Sequence, residues 1–460
     1  MNFWNEQKIK EALPDARLYN IPPNWTASGL VIWHDNIVDD AIILIRRTGE
    51  KRGILPKKIP ELLHQVSAIM TTNATEFFKY NKPIIEIPAN SSNAIINLAR
   101  YIRSNFTGKV CAITGSSGKS TTTQLVYDVL ASKYKTNANL NKFNTSWGIS
   151  WNMTLFNPSA DYWVIETSLG GGMSRNSAIT KPDYAVITNI APVHLKEGMS
   201  IRDIANEKSH IFNSMKENST AILYSETNYF ELLKNSAKFK NLNIITFGKS
   251  ENADIKIHQE EHCSGFIING KKYLFEGQTF ADHILLDMAA ACAIGLSEKL
   301  SPEEILSVLK DFKPIEGRGE TFTIKLSDNK TFNLTDESYN ANPISMQAAI
   351  EGFGNLHPKE NKILILGDMA ECGPESAKYH AEIAEPIRKI KPSKIILCGK
   401  DIKNLYEEIK NEFECHYFDN INEMNNNLQE LIDNNSFVMV KSSHSSLLYE
   451  TVNFLKKAGV

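Results

Sequence analysis

The chain of 460 residues has no long apolar run, no cysteine pattern and no excess of charge of either sign. Because about 18 consecutive apolar residues are needed for a membrane-spanning helix, such a helix is excluded, and the first residues, MNFWNEQKIKEALPDA, contain no apolar signal core. A net charge of −3 argues against a basic field that would hold nucleic acid or a membrane surface. These absences predict a cytoplasmic protein whose partners are neither nucleic acid nor membrane.

The six cysteines form no CxxC pair, and none lies at zinc-ligand spacing from a histidine. Several lie within apolar runs such as KVCAI and IILCG, so we expect buried, reduced thiols. A chain of this length can bury several cores without disulfides and predicts about three domains.

Strand and helix patterns alternate in two long blocks. Residues 1–106 are mixed, whereas 107–313 and 314–460 alternate as a parallel sheet requires, and the Pro- and Gly-containing segment 314–319 suits a linker. We therefore predict an α/β fold of three domains with these bounds, the last one Rossmann-like. The expected strands are 41–45, 110–113, 162–166, 184–189, 220–224, 362–366, 394–397 and 437–440, and the expected helices include 93–103 and 120–130.

A glycine-bearing turn, TGSSGKS at 114–120, lies between the first strand and the first helix of the central block. Backbone N–H groups of such a turn and of a helix N-terminus wrap phosphate oxygens, which predicts a P-loop ATP-binding domain. Lys119 supplies positive charge for the β and γ phosphates, and the Ser120 hydroxyl is a Mg²⁺ ligand. The residues assigned to the phosphate site are Gly115, Ser116, Ser117, Gly118, Lys119, Ser120 and Thr121.

Further segments occur in the order typical of the Mur ligases, a family that the chain resembles over about residues 107–450. The phosphate turn has that family's form, Thr-Gly-x-x-Gly-Lys-Ser/Thr. The other matching segments are NLNKFNT at 139–145, VIE at 164–166, ITNI at 187–190 with HL at 194–195, IANEK at 204–208, GR at 317–318, DESYNANPISM at 336–346, and LGDMAECG at 366–373 with His380 beyond. The last two resemble most the branch that adds D-alanyl-D-alanine to UDP-N-acetylmuramoyl-tripeptide in peptidoglycan synthesis.

The resemblance implies an ATP-dependent ligase that forms an amide from a carboxylate and an amine through an acyl phosphate, releasing ADP and phosphate. It implies that Ser120 and Glu166 hold one Mg²⁺, a hard cation that prefers oxygen ligands. It places His194 and Lys208 at a second metal, with Lys208 carbamylated, because an ammonium group cannot bind a metal. The catalytic residues that it implies are Lys119, His194 and Lys208.

The resemblance also implies nucleotide contacts on both sides of a cleft. Asp287 belongs to the central domain, and Arg318, Asp336 and Asn340 belong to the third domain, which would reach ATP after closure about the 314–319 hinge. The partners implied are a small-molecule carboxylate and a small-molecule amine. Most members of the family act as monomers, and we expect the same here.

Departures from the family pattern fall mainly on the substrate side. The first domain has AIILIRRTG at 41–49 and no Asp-Gly-His, so its usual UDP-sugar site is not evident. Ile284 and Asp287 stand where the family has asparagines, Glu337 replaces an aspartate, and His444 replaces an arginine. Two substrate hypotheses stay open: the peptidoglycan step itself, or a paralogue that joins an amino acid or amine to a sugar acid, a capsule precursor or a small metabolite.

Two other classes of function compete with a ligase. A P-loop kinase or switch would share the phosphate turn, but Ile113 stands where the strict Walker pattern has glycine, and such a protein would not need the later motifs together. A non-catalytic scaffold should have lost Lys119 or Glu166, and both are present.

Overall fold

Three main sheets follow one another along the chain. The computed structural model describes residues 2–47, 49–50, 52–88, 91–140, 143–192, 198–260, 262–326 and 330–458. The sheets contain five, nine and six strands, and a separate pair of short strands lies near the N-terminus. The fold is therefore α/β, with three sheets in succession as the sequence predicts.

The first sheet is small and mixed. Its region comprises β1 (Trp4–Asn5), α1 (Glu6–Ala12), β2 (Arg17–Tyr19), β3 (Thr26–Ala27), β4 (Leu30–Val31), β5 (Ala41–Leu44), α2 (Ile59–Leu62), β6 (Val66–Thr71) and β7 (Ile84–Glu86). The strand order is β2-β7-β6-β5-β4, with β2 antiparallel to β7 and the other pairs parallel. All four residues of β5 are buried, as the continuous apolar run at 41–45 predicts for a central parallel strand.

The central sheet carries the phosphate turn. Its region comprises α3 (Ser91–Asn105), β8 (Lys109–Thr114), α4 (Lys119–Ala131), β9 (Thr136–Ala138), α5 (Ser146–Leu155), β10 (Tyr162–Glu166), α6 (Met173–Thr180), β11 (Tyr184–Ile187), α7 (Ile201–Ser209), β12 (Thr220–Tyr224), α8 (Phe230–Phe239), β13 (Asn243–Gly248), β14 (Ile255–Gln259), β15 (Ser264–Ile268), β16 (Lys271–Phe275), α9 (Asp282–Ser297) and α10 (Pro302–Leu309). The strand order is β16-β15-β14-β13-β12-β11-β8-β10-β9, and the pairs from β9 to β14 are parallel.

One edge of the central sheet is antiparallel. The strands β14, β15 and β16 form a meander, and β15 joins β16 through the two residues Asn269 and Gly270, which have φ angles of 50° and 76°. An Asn-Gly pair suits the left-handed backbone of such a tight hairpin turn. The expectation of a parallel sheet is therefore confirmed for the part that carries the phosphate turn, and the hairpin edge was not anticipated.

The third sheet is parallel except at one edge. Its region comprises β17 (Glu320–Lys325), β18 (Thr331–Glu337), α11 (Pro343–Leu356), β19 (Lys362–Gly367), α12 (Ser376–Glu382), α13 (Ala384–Ile390), β20 (Lys394–Cys398), α14 (Lys403–Ile409), β21 (Cys415–Phe418), α15 (Ile421–Leu431), β22 (Phe437–Lys441) and α16 (Leu448–Ala458). The order is β17-β18-β22-β19-β20-β21, with only β17 antiparallel among the described strands. The carboxyl ends of β18 and β22 face the central domain's phosphate turn across a cleft.

The structure also tests the predictions made for the cysteines, for the helix at 93–103 and for membrane-spanning helices. All six cysteines are free; four are buried, whereas Cys263 and Cys415 are partly exposed, so the expectation of buried thiols is wrong for these two. The helix expected at 93–103 is α3, which buries Ile95, Leu98 and Ile102 on one face. None of the helices in the described ranges is both long and apolar enough to cross a membrane.

Candidate active site

The turn between β8 and α4 presents a row of backbone donors. Gly118 has a φ of 78°, and a side chain there would overlap the carboxyl group of Asp287. In the described part of the chain, the N–H groups of Gly118, Lys119, Ser120 and Thr121 have no hydrogen-bond acceptor. All four residues line a cleft of about 260 Å³ between the central and third domains. Four free donors at a helix N-terminus form a site for phosphate oxygens.

The first half of the turn is tied to the protein. Asn189 accepts the N–H of Ser116 through its backbone oxygen at 3.0 Å, and its side-chain oxygen accepts the N–H groups of Ser116 and Ser117 at 3.1 and 2.9 Å. The Ser116 hydroxyl accepts the N–H of Ala191 at 2.9 Å and donates to its oxygen at 3.2 Å. The Ser116 side chain, assigned to phosphate by sequence, therefore holds the segment after β11.

Two lysines converge on one carbonyl oxygen of the turn. Lys119 Nζ and Lys208 Nζ donate to the oxygen of Gly115 at 3.0 and 2.8 Å. Lys208 is 2% exposed, and burial lowers its pKa well below the usual value; the charge of Lys119 acts in the same direction, and Glu207 acts against it. Burial also lowers the pKa of Lys119. A buried lysine with a depressed pKa is available as a neutral amine, the form that carbamylation by CO₂ requires.

Glu166 forms the candidate metal site with Ser120. The Ser120 hydroxyl donates to Glu166 Oε2 at 2.6 Å, and the Asn144 amide donates to Oε1 at 2.6 Å. The Glu166 N–H is held by Asn139 Oδ1 at 2.7 Å, and the carboxylate is 5% exposed. A hydroxyl and a carboxylate are hard oxygen donors, so the pair fits Mg²⁺ that takes its other ligands from phosphates and water.

Of the two residues predicted at a second metal site, only Lys208 lies in the described part of the chain. His194 belongs to 193–197 and lies outside the described residues. Within the described ranges no group of three His, Cys, Asp or Glu side chains is placed to hold a metal.

The third domain supplies the opposite wall of the cleft. The Arg318 guanidinium lies 4.2 Å from the ring centroid of Tyr339, and both line the cleft with Asn340. Lys441, which is 2% exposed, donates to the backbone oxygen of Asn340 at 3.1 Å and pairs with Glu337 at 3.3 Å. The partly exposed guanidinium of Arg318 on this wall and the free N–H groups on the other wall are both donors for phosphate oxygens.

Asp336 and Glu337, at the end of β18, point in different directions. Asp336 is 3% exposed, and its Oδ1 accepts the N–H and hydroxyl of Ser338 at 3.0 and 2.6 Å. Glu337 is the residue that lines the cleft, and its Oε1 lies 3.8 Å from Nε2 of His283 on α9. Successive strand residues point to opposite faces, so only one carboxylate of the pair can face the nucleotide. Glu337 therefore lines the cleft in this structure, and the contact of Asp336 with the nucleotide stays a prediction.

Several residues of the site were missed by sequence reasoning. Asn139, Asn144 and Asn189 lay inside quoted motifs without a role, and each orients a predicted functional group. Their signal was the repeated asparagine after a buried strand, since a short amide often bonds backbone groups at loops. Lys441 and His283 lie in segments that were compared with the family pattern, beside the departures at His444 and Ile284, but no role was assigned to either residue.

Comparisons with known proteins agree with this geometry. A model of the Mur ligase middle domain matches residues 113–295, and a model of the Mur ligase glutamate ligase domain matches residues 322–444. The UDP-N-acetylmuramoyl-tripeptide–D-alanyl-D-alanine ligase of Rickettsia prowazekii is 28% identical over 388 residues, covering 81% of this chain and 84% of that protein. The enzyme of the same name from Bacillus subtilis is 27% identical over 370 residues, covering 79% of each chain.

Solved structures share the whole arrangement of domains. MurF from Acinetobacter baumannii has a TM-score of 0.83 at 21% identity and covers 99% of both chains. MurF ligase from Thermotoga maritima, solved in complex with ADP, has a TM-score of 0.76 at 21% identity, covering 94% of this chain and 98% of that one. At this identity the likeness establishes a common fold.

Proposed function

The chain belongs to the Mur ligase family, and from this premise we propose that it joins UDP-N-acetylmuramoyl-tripeptide to D-alanyl-D-alanine in the cytoplasm. The observation that carries the proposal is the cleft in which a phosphate turn, a Ser120–Glu166 pair and the Arg318 wall converge. Relatives of the same length named for this reaction support the choice of substrates. The cleft is built within one chain, which supports action as a monomer.

The reaction that we propose has two steps. A carboxylate oxygen of the acid attacks the γ-phosphorus of ATP, the bond to the β-phosphate oxygen breaks, and ADP leaves. The neutral amine then attacks the acyl carbon of the acyl phosphate, a C–N bond forms, phosphate leaves with the electron pair, and the nitrogen loses a proton. Phosphoryl transfer depends mainly on positioning and charge neutralisation.

The residues have distinct parts in this scheme. Lys119 and the N–H groups of 118–121 hold the phosphates, and Arg318 approaches them from the third domain. Ser120 and Glu166 would hold Mg²⁺, which neutralises phosphate charge when bound. Lys208, as a carbamate, would serve a second metal beside the acyl carboxylate. The depressed pKa of Lys208 supports this role, because only a neutral amine reacts with CO₂.

The first experiment measures ADP release with Mg²⁺ and ATP. One reaction contains UDP-N-acetylmuramoyl-tripeptide and D-alanyl-D-alanine, and matched reactions omit one of the two. We expect ADP release only with both, an amide product of the expected mass, and loss of both signals in Lys119→Ala. ADP release that does not require the amine, or that persists in the Lys119→Ala variant, contradicts the proposal.

A second candidate is a ligase for another acid, and one observation favours it. The segment AIILIRRTG at 41–49 lacks the Asp-Gly-His of the family pattern, and shortly after it Arg52 lies 4.0 Å over the ring of Trp147 and donates to Ser92 at 2.8 Å. This arrangement ties the first domain to the central one. Turnover with sugar acids or small carboxylates and amino acids, and none with the muramoyl pair, would establish this alternative.

A further inference from the structure

Asp287 lies on α9 beside the free N–H donors of the phosphate turn. The residue is 6% exposed, and its Oδ1 accepts the Thr122 hydroxyl at 2.8 Å. The same oxygen contacts Gly118, the first residue in the row of free N–H donors, closely enough to exclude a side chain there. Asp287 lines the nucleotide cleft, and its Oδ2 makes no hydrogen bond to the described residues.

No cation in the described part of the chain forms an ion pair with this carboxyl group. Lys119, on the neighbouring helix, turns its ammonium group to carbonyl oxygens of the turn. His283, one turn earlier on α9, faces Glu337. Arg318 of the third domain stacks on a tyrosine ring, and its charge reaches Asp287 only from a distance. An ionised carboxylate that is buried without a cationic partner is strongly disfavoured.

We propose that Asp287 works as a neutral carboxylic acid whose Oδ2 hydroxyl donates a hydrogen bond to a phosphate oxygen of the bound nucleotide. An ionised carboxylate would repel the phosphates, whereas the acid adds one more donor to those of Gly118 and its neighbours. The proton stays on Asp287, so the group binds the nucleotide and takes no part in bond exchange. Burial raises the pKa of Asp287 to about 8, against the Thr122 hydrogen bond and the charge of Arg318.

This inference needs only the nucleotide cleft. It deepens the proposed function by naming a nucleotide-binding group, and it holds whichever carboxylate and amine are joined. The test therefore uses Mg²⁺–ADP binding to the full chain without acid or amine. A failure of the muramoyl assay would leave this measurement intact, and the two outcomes are distinguishable.

The affinity for Mg²⁺–ADP is measured by calorimetry at pH 7 and pH 9 for the wild type and three variants. Ionisation of a group with a pKa of about 8 predicts a roughly tenfold loss of wild-type affinity over this range. Asp287→Asn keeps a neutral donor, so its affinity should change less than about twofold. The control is Asp128→Asn. Asp128 lies on α4, is partly buried and is outside the nucleotide cleft, so this variant should retain the wild-type pH dependence.

The variant Asp287→Leu distinguishes the effect of the negative charge from the effect of the donated hydrogen bond. It is neutral without a donor, so at pH 7 it should bind about fivefold more weakly than Asp287→Asn, the effect of one net hydrogen bond. Equal affinities of these two variants would overturn the donated bond. Identical pH dependence in the wild type and Asp287→Asn would overturn the neutral acid.

Infrared spectroscopy tests the wild type itself, so the inference does not depend on a variant that folds. Difference spectra on ADP binding at pH 7 should contain the C=O band of a protonated carboxyl group, and Asp287→Asn should lack it. A wild-type spectrum without that band at pH 7 contradicts the proposal.

Discussion

At the scale of single residues, the least ordinary feature is a lysine pair on one oxygen. Lys208 and Lys119 both donate to Gly115, and burial lowers the pKa of each. Two ammonium groups so close repel each other, and one relieves the repulsion by losing its proton. The pKa of Lys208 is the more strongly lowered of the two, which supports the proposal that Lys208 is the amine that reacts with CO₂.

Replacement of Lys208 by arginine tests this reading. Arginine stays charged and cannot be carbamylated, so Lys208→Arg should lower amide formation by roughly 100-fold or more. With ¹³C-bicarbonate, the wild type should give a carbamate carbonyl signal by NMR that the variant lacks. Lys234→Arg, a change at a partly exposed residue on α8, should keep both the signal and the activity. A fully active wild type without the signal would contradict carbamylation.

Sequence reasoning located the functional segments but not every functional side chain. Glu166 was placed correctly at the end of a buried strand, because its run YWVIE is apolar until the carboxylate. Asp336 and Glu337 illustrate what the sequence does not determine. The motif contains both carboxylates, and the orientation of β18 decides which of the two side chains lines the cleft. A shift of β18 by one residue would exchange the directions of the two side chains, and the amino-acid composition does not determine this register.

At the scale of elements, β11 and the segment after it serve as a brace for the phosphate turn. Asn189 satisfies the N–H groups of Ser116 and Ser117 and donates to the Ser117 hydroxyl at 2.6 Å. Thr188 donates to the backbone oxygen of Ser117 at 2.5 Å. The turn is thus shaped before nucleotide arrives, and its free donors all belong to the half that begins α4. Preorganised donors cost no rearrangement on binding.

Removing the brace should weaken nucleotide binding. Asn189→Ala loses three side-chain hydrogen bonds but keeps the backbone bond to Ser116, so the fold should survive. We expect KM for ATP to rise about tenfold, or about 1.4 kcal/mol, which is within the net value of one or two hydrogen bonds. Asn228→Ala, which removes a bond to Ile190 in the same segment, should change KM less than about twofold. An unchanged KM in Asn189→Ala would show that the turn holds its shape alone.

The elements themselves were largely predictable. The strands expected at 162–166 and 220–224 coincide with β10 and β12, and the helix expected at 120–130 is α4 within a residue at each end. Continuous apolar runs identify buried parallel strands well. The hairpin of β15 and β16 was not predicted, although Asn269-Gly270 signals it, because the apolar run in β15 is only three residues long, at 266–268, and β16 begins with two exposed lysines.

At the scale of the whole molecule, the cleft lies between two domains that we expect to approach each other and enclose the acyl phosphate. The contact between His283 and Glu337 already bridges them at 3.8 Å. The 314–319 segment connects the domains, and Gly317 there has a φ of 73° with a Cβ position 2.9 Å from that of Tyr339. A hinge at this glycine would move Arg318 and Tyr339 together toward the phosphates.

Closure should be visible in solution. We expect the radius of gyration from X-ray scattering to decrease when a non-hydrolysable ATP analogue, Mg²⁺ and the acceptor are added together. Lys119→Ala, which lacks the phosphate-binding charge, should show no such change. Equal scattering profiles of the free and ligand-bound wild type would argue against a hinge in the 314–319 segment.

The described residues that line the nucleotide cleft all come from Ser116 onward in the chain. The first sheet, residues 17–86, lies outside that wall. If the first domain binds the acid, as the family resemblance implies, the acid site and the phosphate site belong to different domains and can evolve at different rates. A descendant that exchanges its first domain would then keep its phosphate turn and accept a different acid, so new substrates would arise without a change in the phosphate chemistry.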